Sequence, residues 1–398
     1  MPMTTERNAV SPLSSQFVLL MAMACGLCAG STYYSQPLIY SIEEGLSITT
    51  SQAGLTVVIA QIGYVLGLML LVPLGDFLNK RKLVVSLMVF AATSQILLSL
   101  STTLSTLYLF TLFATFGAIS AQVLIPFAST ISPPESSAAT VGKLMSGLVM
   151  GIILSRTFAG FVSTYWTWEG VYLSSGIITL LFAILMWKKL PDTQPQVGLT
   201  IGGIYRSLFF IARQNPHLIR RACAGALAFG ILSMIFTSMT FVLGNDPYYF
   251  TDFEIGLFGL LGVIGIFSSS WSGRTVGAGR ENLVAVLCIS LMLLSCIPLY
   301  FAQQNILVYA VGVLMAYFGL TAFHVLNQNL VYRIDLKSRS RINAVYMTIY
   351  FSGAALGSLG AVYAWQHFEW MGCVILGLVF SIGILLIDRV DFRKMIKK

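Results

Sequence analysis

Charge is what this sequence has least of. Only 10% of its 398 residues are Asp, Glu, Lys or Arg, against 57% hydrophobic. A soluble domain carries about a quarter charged residues, so a surface facing water over most of its area is excluded. Histidine is scarcer still, at three, and cysteine stands at six. Cys25, Cys28, Cys223, Cys288, Cys296 and Cys373 all fall inside apolar runs. Cys25 and Cys28 make a CxxC, but no second pair or histidine cluster accompanies them to complete a metal site. All six read as small core residues. The apolar runs lack acids and hold one histidine, so paired carboxylates, a nucleophile with its base, or a metal cluster cannot be assembled in them. An enzyme is therefore not expected, nor a cofactor or metal. No phosphate-binding loop is present, which argues against ATP-driven pumping, and barrel-type alternation is missing.

What is present is a series of apolar runs of about 20 residues, the length that crosses a bilayer core of roughly 30 Å as a helix. Twelve can be placed, at roughly 16–39, 52–74, 83–101, 105–131, 141–165, 171–187, 222–244, 255–272, 283–302, 306–331, 342–366 and 372–387. The first run is long and many follow, so no cleavable signal peptide is expected. The net charge of +8 resembles a nucleic-acid footprint only until the charges are placed. With the N-terminus in the cytoplasm and strict alternation, every Lys and Arg except Arg156 falls at the cytoplasmic side or its border. The opposite loops carry only acids: Glu43, Glu44, Glu169, Asp246, Asp252, Glu254 and Glu369. One missed span would scramble this pattern, so the positive-inside rule predicts twelve spans and both termini in the cytoplasm. Membrane lipid is the expected environment, and nucleic acid is not an expected partner.

The two halves align at a constant offset. Gly54-Leu55 matches Gly256-Leu257, Phe116-Gly117 matches Phe318-Gly319, Gly151 matches Gly353, and Trp168 with Gly170 matches Trp370 with Gly372. An even number of spans per half makes this a parallel repeat, its axis along the membrane normal. The predicted organisation is an N-terminal six-helix bundle at 1–187, a cytoplasmic linker at 188–221, and a C-terminal six-helix bundle at 222–398. A short amphipathic helix around Ile204–Ala212 is an expected linker element, lying on the membrane or simply solvated.

Two stretches carry a family resemblance. Residues 73–82, PLGDFLNKRK, resemble the loop signature of the major facilitator superfamily. Residues 30–38, GSTYYSQPL, and 339–358, RSRINAVYMTIYFSGAALGS, resemble a bacterial branch near its drug–proton antiporters. The resemblance spans essentially the whole chain and implies an all-α membrane fold of twelve transmembrane helices in two pseudo-symmetric six-helix bundles. There are departures. Val72 replaces the glycine that opens the signature, Asn79 replaces its turn glycine, and the second copy at 272–280 lacks the acid. Phe113 stands where the antiporter arginine would be, and Ser155-Arg156 where its Gly-Pro would be. These count against proton-coupled drug export of the usual kind.

The resemblance implies a gating role for Asp76, whose carboxylate would cap a helix of the opposite half when the cytoplasmic side closes. A carboxylate is stabilised at a helix N-terminus, and a helix is expected to start near Ile342. Lys80 and Arg81 either hold anionic headgroups and loop acids or merely mark topology. Arg156 lies about 13 residues beyond Lys143, which at about 1.5 Å per residue places it near the membrane midplane. A charge there costs several kcal/mol unless paired or hydrated, so Arg156 is a substrate or gating site, or a structural tie. His324 and Gln122 occupy matching positions on spans that the resemblance implies line the central path, and Gln328 follows on the same span as His324. His324 titrates near neutrality, making it either a proton carrier or a satisfied hydrogen-bonding group. Tyr34 and Gln36 near the outer end of the first span, and Gln61 in the second, complete the candidate cavity. Tyr34 reads equally as an interface anchor.

The expectation is a secondary transporter that moves a small solute, with efflux as its direction and protons as one candidate coupling ion, working as a monomer in a bacterial inner membrane. The competing reading is a non-transporting sensor or assembly protein on the same fold, or a poorly active paralogue.

Overall fold

In a computed structural model the described residues are 13–76, 78–192, 201–335 and 339–396. Among them every regular element is helical. The first half holds α1 (Ser15–Ser31), α2 (Ile39–Leu46), α3 (Thr50–Leu70), α4 (Lys80–Leu98), α5 (Leu104–Gly117), α6 (Ser120–Ile131), α7 (Pro134–Tyr165) and α8 (Trp168–Lys189). The amphipathic α9 (Ile201–Gln214) follows. The second half holds α10 (Pro216–Leu243), α11 (Asp252–Leu257), α12 (Ile264–Gly277), α13 (Glu281–Leu294), α14 (Cys296–Tyr300), α15 (Ile306–Tyr332) and α16 (Arg339–Ile396). Short 3-10 turns at Val72–Asp76 and Phe258–Val263 extend α3 and join α11 to α12.

Among the described residues ten stretches are long and apolar enough to cross a membrane. One of them, Arg341–Asp388, runs for 48 residues, enough for two crossings of about 20. The chain reverses inside it at Glu369, which sits at φ 50°, ψ −146°. The shorter apolar α1, with 17 residues, supplies the remaining crossing. The architecture is consistent with the expected twelve.

Local chemistry sets several of the boundaries. Thr49 and Gln52 form a reciprocal capping box at the start of α3, and the Thr167 hydroxyl accepts from the Gly170 amide to start α8. The first span departs from expectation. Instead of one helix over 16–39, α1 stops at Ser31, the chain turns through 32–38, and α2 resumes at Ile39. Pro37 explains the break, because it removes a backbone donor and disfavours helical geometry at Gln36.

Within the first half α1 lies on α7, α4 on α8 and α3 on α5; within the second, α10 lies on α16, and α12 and α13 on α15. The same close contact recurs in each half. A Cβ on Gly151 would meet the Gly26 carbonyl oxygen at 2.2 Å, and one on Gly353 would meet the Ala226 carbonyl oxygen at 2.0 Å. Such spacing needs bare backbone on at least one side, the small-residue packing used between membrane helices.

Where sequence placed Arg221 in the linker and Asp388 at the tail, both prove to be buried helix residues. Arg221 Nη1 donates to Asp388 Oδ1 at 2.8 Å, joining α10 to the last stretch of α16. The amphipathic helix predicted at Ile204–Ala212 is present as α9, with Ile204 buried and Phe209 and Phe210 exposed. Its Tyr205 hydroxyl donates to the Leu70 carbonyl at 2.5 Å.

Candidate functional site: the contact between the halves

The two halves are held together at the end that carries the acids. There the Asp252 carboxylate at the start of α11 accepts from Ser41 and Ser163 of the first half, the latter at 2.6 Å. The Phe253 amide donates to the Thr164 hydroxyl at 3.1 Å, and Asn245 Nδ2 donates to the Tyr40 hydroxyl at 2.6 Å. Backbones touch as well, since a Cβ on Gly160 would lie 2.1 Å from the Asp252 carbonyl oxygen. Asp252 is 8% exposed. Sequence reading left it as an outer-loop acid, and only the serines that face it from two other helices reveal its role.

One turn inward along α7 lies Arg156, 3% exposed. Its Nε donates to Gln36 Oε1 at 2.6 Å and its Nη1 to the Ile152 carbonyl at 3.3 Å. The guanidinium carbon sits 4.0 Å from the Phe236 ring centroid and 4.8 Å from that of Tyr33. Gly256 and Gly259 make room for it. A Cβ on Gly256 would lie 2.5 Å from the Arg156 carbonyl oxygen, and one on Gly259 3.0 Å from the Arg156 Cβ. The unwound 32–38 segment supplies Tyr33 and Gln36, and Thr240 of α10 donates to the Gln36 carbonyl at 2.6 Å. Non-helical backbone at membrane depth is tolerated where protein satisfies it, and Thr240 does so here.

Arg156 and Gln36 are thus brought together. Gln61 Nε2 reaches across the halves to Ser233 at 2.6 Å, and Ser358 bonds both Ser233 and Thr237 at 2.8 Å. Tyr34 is buried in the first half against Phe158 and Tyr172, accepting from Ser175 at 3.2 Å. Of the two tyrosines that sequence marks as either interface anchor or cavity residue, it is Tyr33 that faces Arg156.

Below Arg156 an aromatic layer follows. Tyr64 of the first half packs on Phe351 of the second at 4.8 Å, and within the second half Phe229 stacks on Tyr350 at 4.6 Å and His324 lies 4.3 Å from Tyr350. Beneath this layer, at the end rich in Lys and Arg, a cleft of about 60 Å³ lies between Pro73, Lys80, Gln122, Leu208 of α9, Arg341 and Ala344. That volume holds a water or two, far below the roughly 300–1,000 Å³ of a ligand pocket. Arg156 thus sits between the contacts that close the acidic end and the aromatic layer.

Gln122 and His324, expected as a matched pair, bond separately. Gln122 Nε2 donates to the Tyr64 hydroxyl at 3.1 Å, and His324 Nδ1 lies 3.1 Å from the Tyr346 hydroxyl. Asn327 Oδ1, one turn from His324, is 3.5 Å from Arg221 Nη1, so polar groups lead from His324 toward the Arg221–Asp388 pair. Gln328 is half-buried on α15. Arg81 lies over the Trp187 ring at 4.6 Å and donates to its carbonyl, a tie inside the first half. Lys80 lines the cleft. The backbone of Asp76 ends the Val72–Asp76 turn, but its side chain, and with it the gating expectation, lies outside the described residues.

Comparison with known proteins fits this architecture. The chain is 35% identical over 385 residues to a protein of Escherichia coli O157:H7 named uncharacterized transporter YgaY, covering 97% of each chain. Its fold matches the crystal structure of the nucleoside transporter NupG with a TM-score of 0.75 at 13% identity, covering 95% of this chain and 99% of that one. It also matches a bacterial homologue of the human lysosomal transporter Spinster in an inward-facing, occupied conformation, with a TM-score of 0.72 at 12% identity and coverage of 95% and 96%. The sequence profile described as the Major Facilitator Superfamily matches residues 19–358, more than half of the chain, and the chain belongs to that superfamily.

Proposed function

We propose that this protein is a secondary transporter that moves a small solute by alternating access, with Arg156 at the centre of its binding site. The observation that carries the reading is a buried arginine on the contact between the two halves, enclosed above by the Asp252 closure and below by the aromatic layer. A solute bound there is reached from one side only when one closure opens, which is the requirement of the mechanism. The units that rock are 1–187 and 222–398, joined by 188–221. The end rich in Lys and Arg is assigned to the cytoplasm with both termini, in a bacterial inner membrane, by the positive-inside rule. The direction is efflux, in line with the resemblance of 30–38 and 339–358 to the branch near the drug–proton antiporters. The coupling ion is the proton, carried by His324, whose surroundings hold the titratable Tyr346 and Tyr350 and, beyond Asn327, Arg221 and Asp388. The working unit is the monomer, since each closure is completed within one chain.

The test is solute counterflow in proteoliposomes across a compound panel, with and without a pH gradient, comparing wild type with Arg156→Ala. The expected result is at least one saturable substrate whose movement Arg156→Ala reduces at least tenfold. Identical transport by the two proteins would remove Arg156 from the site. A sensor or assembly protein would move nothing in either form.

A further inference from the structure

The polar groups left over around Arg156 are hydrogen-bond donors with nothing to donate to. Nε and Nη1 are engaged with Gln36 and Ile152, while Nη2 meets no acceptor among the described residues. Gln36 gives its side-chain oxygen to Arg156, which leaves its amide NH2 group. The hydroxyls of Tyr33, Tyr317 and Tyr350 make no hydrogen bond among the described residues, although each tyrosine is more than nine-tenths buried. The Tyr33 ring lies 4.8 Å from the guanidinium carbon, and Tyr317 packs 6.0 Å from Phe236, the ring over which that carbon sits. Tyr33 and Tyr317 lie within electrostatic reach of Arg156 and of each other, and Tyr350 within reach of both tyrosines. They come from both halves: Tyr33 from the 32–38 turn, Arg156 from α7, Tyr317 from α15 and Tyr350 from α16.

Among the described residues no carboxylate answers the guanidinium. Asp252, the acid on the element packed against α7, is committed to Ser41 and Ser163. The rings of Tyr33 and Phe236 offset only part of what a buried cation loses in hydration. A carboxylate placed against Nη1 and Nη2 would supply the missing charge and the two-pronged geometry that arginine favours, and the tyrosine hydroxyls and the Gln36 amide could donate to its remaining lone pairs. One cation balances one negative charge. The other described basic groups nearby are not available: Arg221 is paired with Asp388, and Lys80 and Arg341 lie at the cleft beyond the aromatic layer. That argues against a dianion such as a phosphate monoester. Phe236 lies under the guanidinium and against Tyr317, and the Phe229 and Phe351 rings pack on one another beyond Tyr350; these rings favour a flat apolar body over a sugar-like one.

We propose that the space between Arg156, Gln36, Tyr33, Tyr317 and Tyr350 binds the carboxylate of a small monocarboxylic acid with an aromatic or bulky apolar body, and that this acid is the transported solute. The proposal rests on the transporter reading and sharpens it. It is tested on the purified full chain in detergent by the ligand-dependent shift in melting temperature. The probes are benzoate, its neutral isostere benzamide, the cation benzylamine and the dianion phenyl phosphate. Benzoate should raise the melting temperature in a saturable way and the other three should not. Arg156→Gln should weaken benzoate binding by about 10- to 100-fold, the scale of a lost charge-assisted pair. Tyr317→Phe and Tyr350→Phe keep the ring and remove only the hydroxyl, so each should weaken binding by about 3- to 10-fold even if Arg156→Gln proves too unstable to assay. A benzamide shift equal to that of benzoate, absence of any benzoate shift, or unchanged affinity in the variants overturns the proposal. Counterflow separates the two levels. A neutral or cationic solute moved equally well by wild type and Arg156→Gln would sink the anion site and leave transport standing. Benzoate bound but never moved would leave the site and sink transport.

Discussion

Removing one member of the Arg221–Asp388 pair should destabilise the protein far more than an exposed ion pair would. The side chains are only 4% and 11% exposed, so Asp388→Ala takes from a buried guanidinium the carboxylate 2.8 Å away. A loss of about 3–5 kcal/mol is expected, read as a lowered melting temperature in detergent. A double change, Arg221→Met with Asp388→Leu, should recover most of it. A single variant that melts with wild type would show the pair to be idle. His324 makes a different kind of claim. His324→Phe keeps an aromatic ring against Tyr350 and removes the bond to Tyr346. Counterflow at equal pH should survive within about twofold, while accumulation driven by a pH gradient should fall at least tenfold. Equal loss of both would make His324 structural. At this scale the sequence announces only what is chemically rare. Arg156 stands out as a lone charge in an apolar run, and Gln36 and Gln61 as lone amides. Tyr33 reads only as anchor or cavity residue alike, and Tyr317 and Tyr350 are invisible, because an aromatic in such a run looks the same whether it faces lipid, core or solute. Asp388 and Arg221 were hidden for the opposite reason, since charges at the end of an apolar run read as topology.

Among elements, the contact of α1 with α7 is the most demanding. Gly151 has no room for a side chain against Gly26, whereas Gly142 on the same helix has nothing within 4 Å of where a Cβ would stand. Gly151→Leu should therefore pry the helices apart, costing about 1–3 kcal/mol or more, while Gly142→Leu should stay within about 0.5 kcal/mol of wild type. Matching melts for the two variants would contradict the close approach. Helix existence was legible from apolar run length, and the turn at Glu369 from the polar gap between 366 and 372. The interruption after Ser31 was not foreseen, though Pro37 carried its physical cause. Apolar periodicity does not register a break that leaves hydrophobicity unchanged on either side. The partners of α9 were equally unreadable, because an amphipathic pattern says that a face is covered but not by what.

For the molecule as a whole, the acidic end is the closure with a definable latch. Asp252 holds two serines of the opposite half, and such charge-assisted bonds contribute about 1.5–3 kcal/mol each. Asp252→Ala should shift the population toward forms open at that end. The measure is the labelling rate of a cysteine placed at Phe241, which is 1% exposed, by a membrane-impermeant maleimide. An increase of about tenfold or more is expected, and an unchanged rate would sink the latch. Fold class and span number were readable at this scale, because they follow from charge and length summed over the whole chain, where single errors average out. That the acidic end is shut was not readable. It depends on pairings such as Ser163 with Asp252, between residues far apart in the chain and unremarkable singly.

The gap between α1 and α2 also bears on how motion is shared. A straight rod would have to swing from end to end as one lever. Here the stretch from Thr32 to Leu38 works as a knee: the Thr240 bond to Gln36 ties the thigh side to α10, while the shin below it stays locked to α7 through Gly26. Spin labels at Leu19 and at Glu44, each paired with a reference on α10, should then report unequal amplitudes during turnover. Equal amplitudes would mean that the knee is rigid.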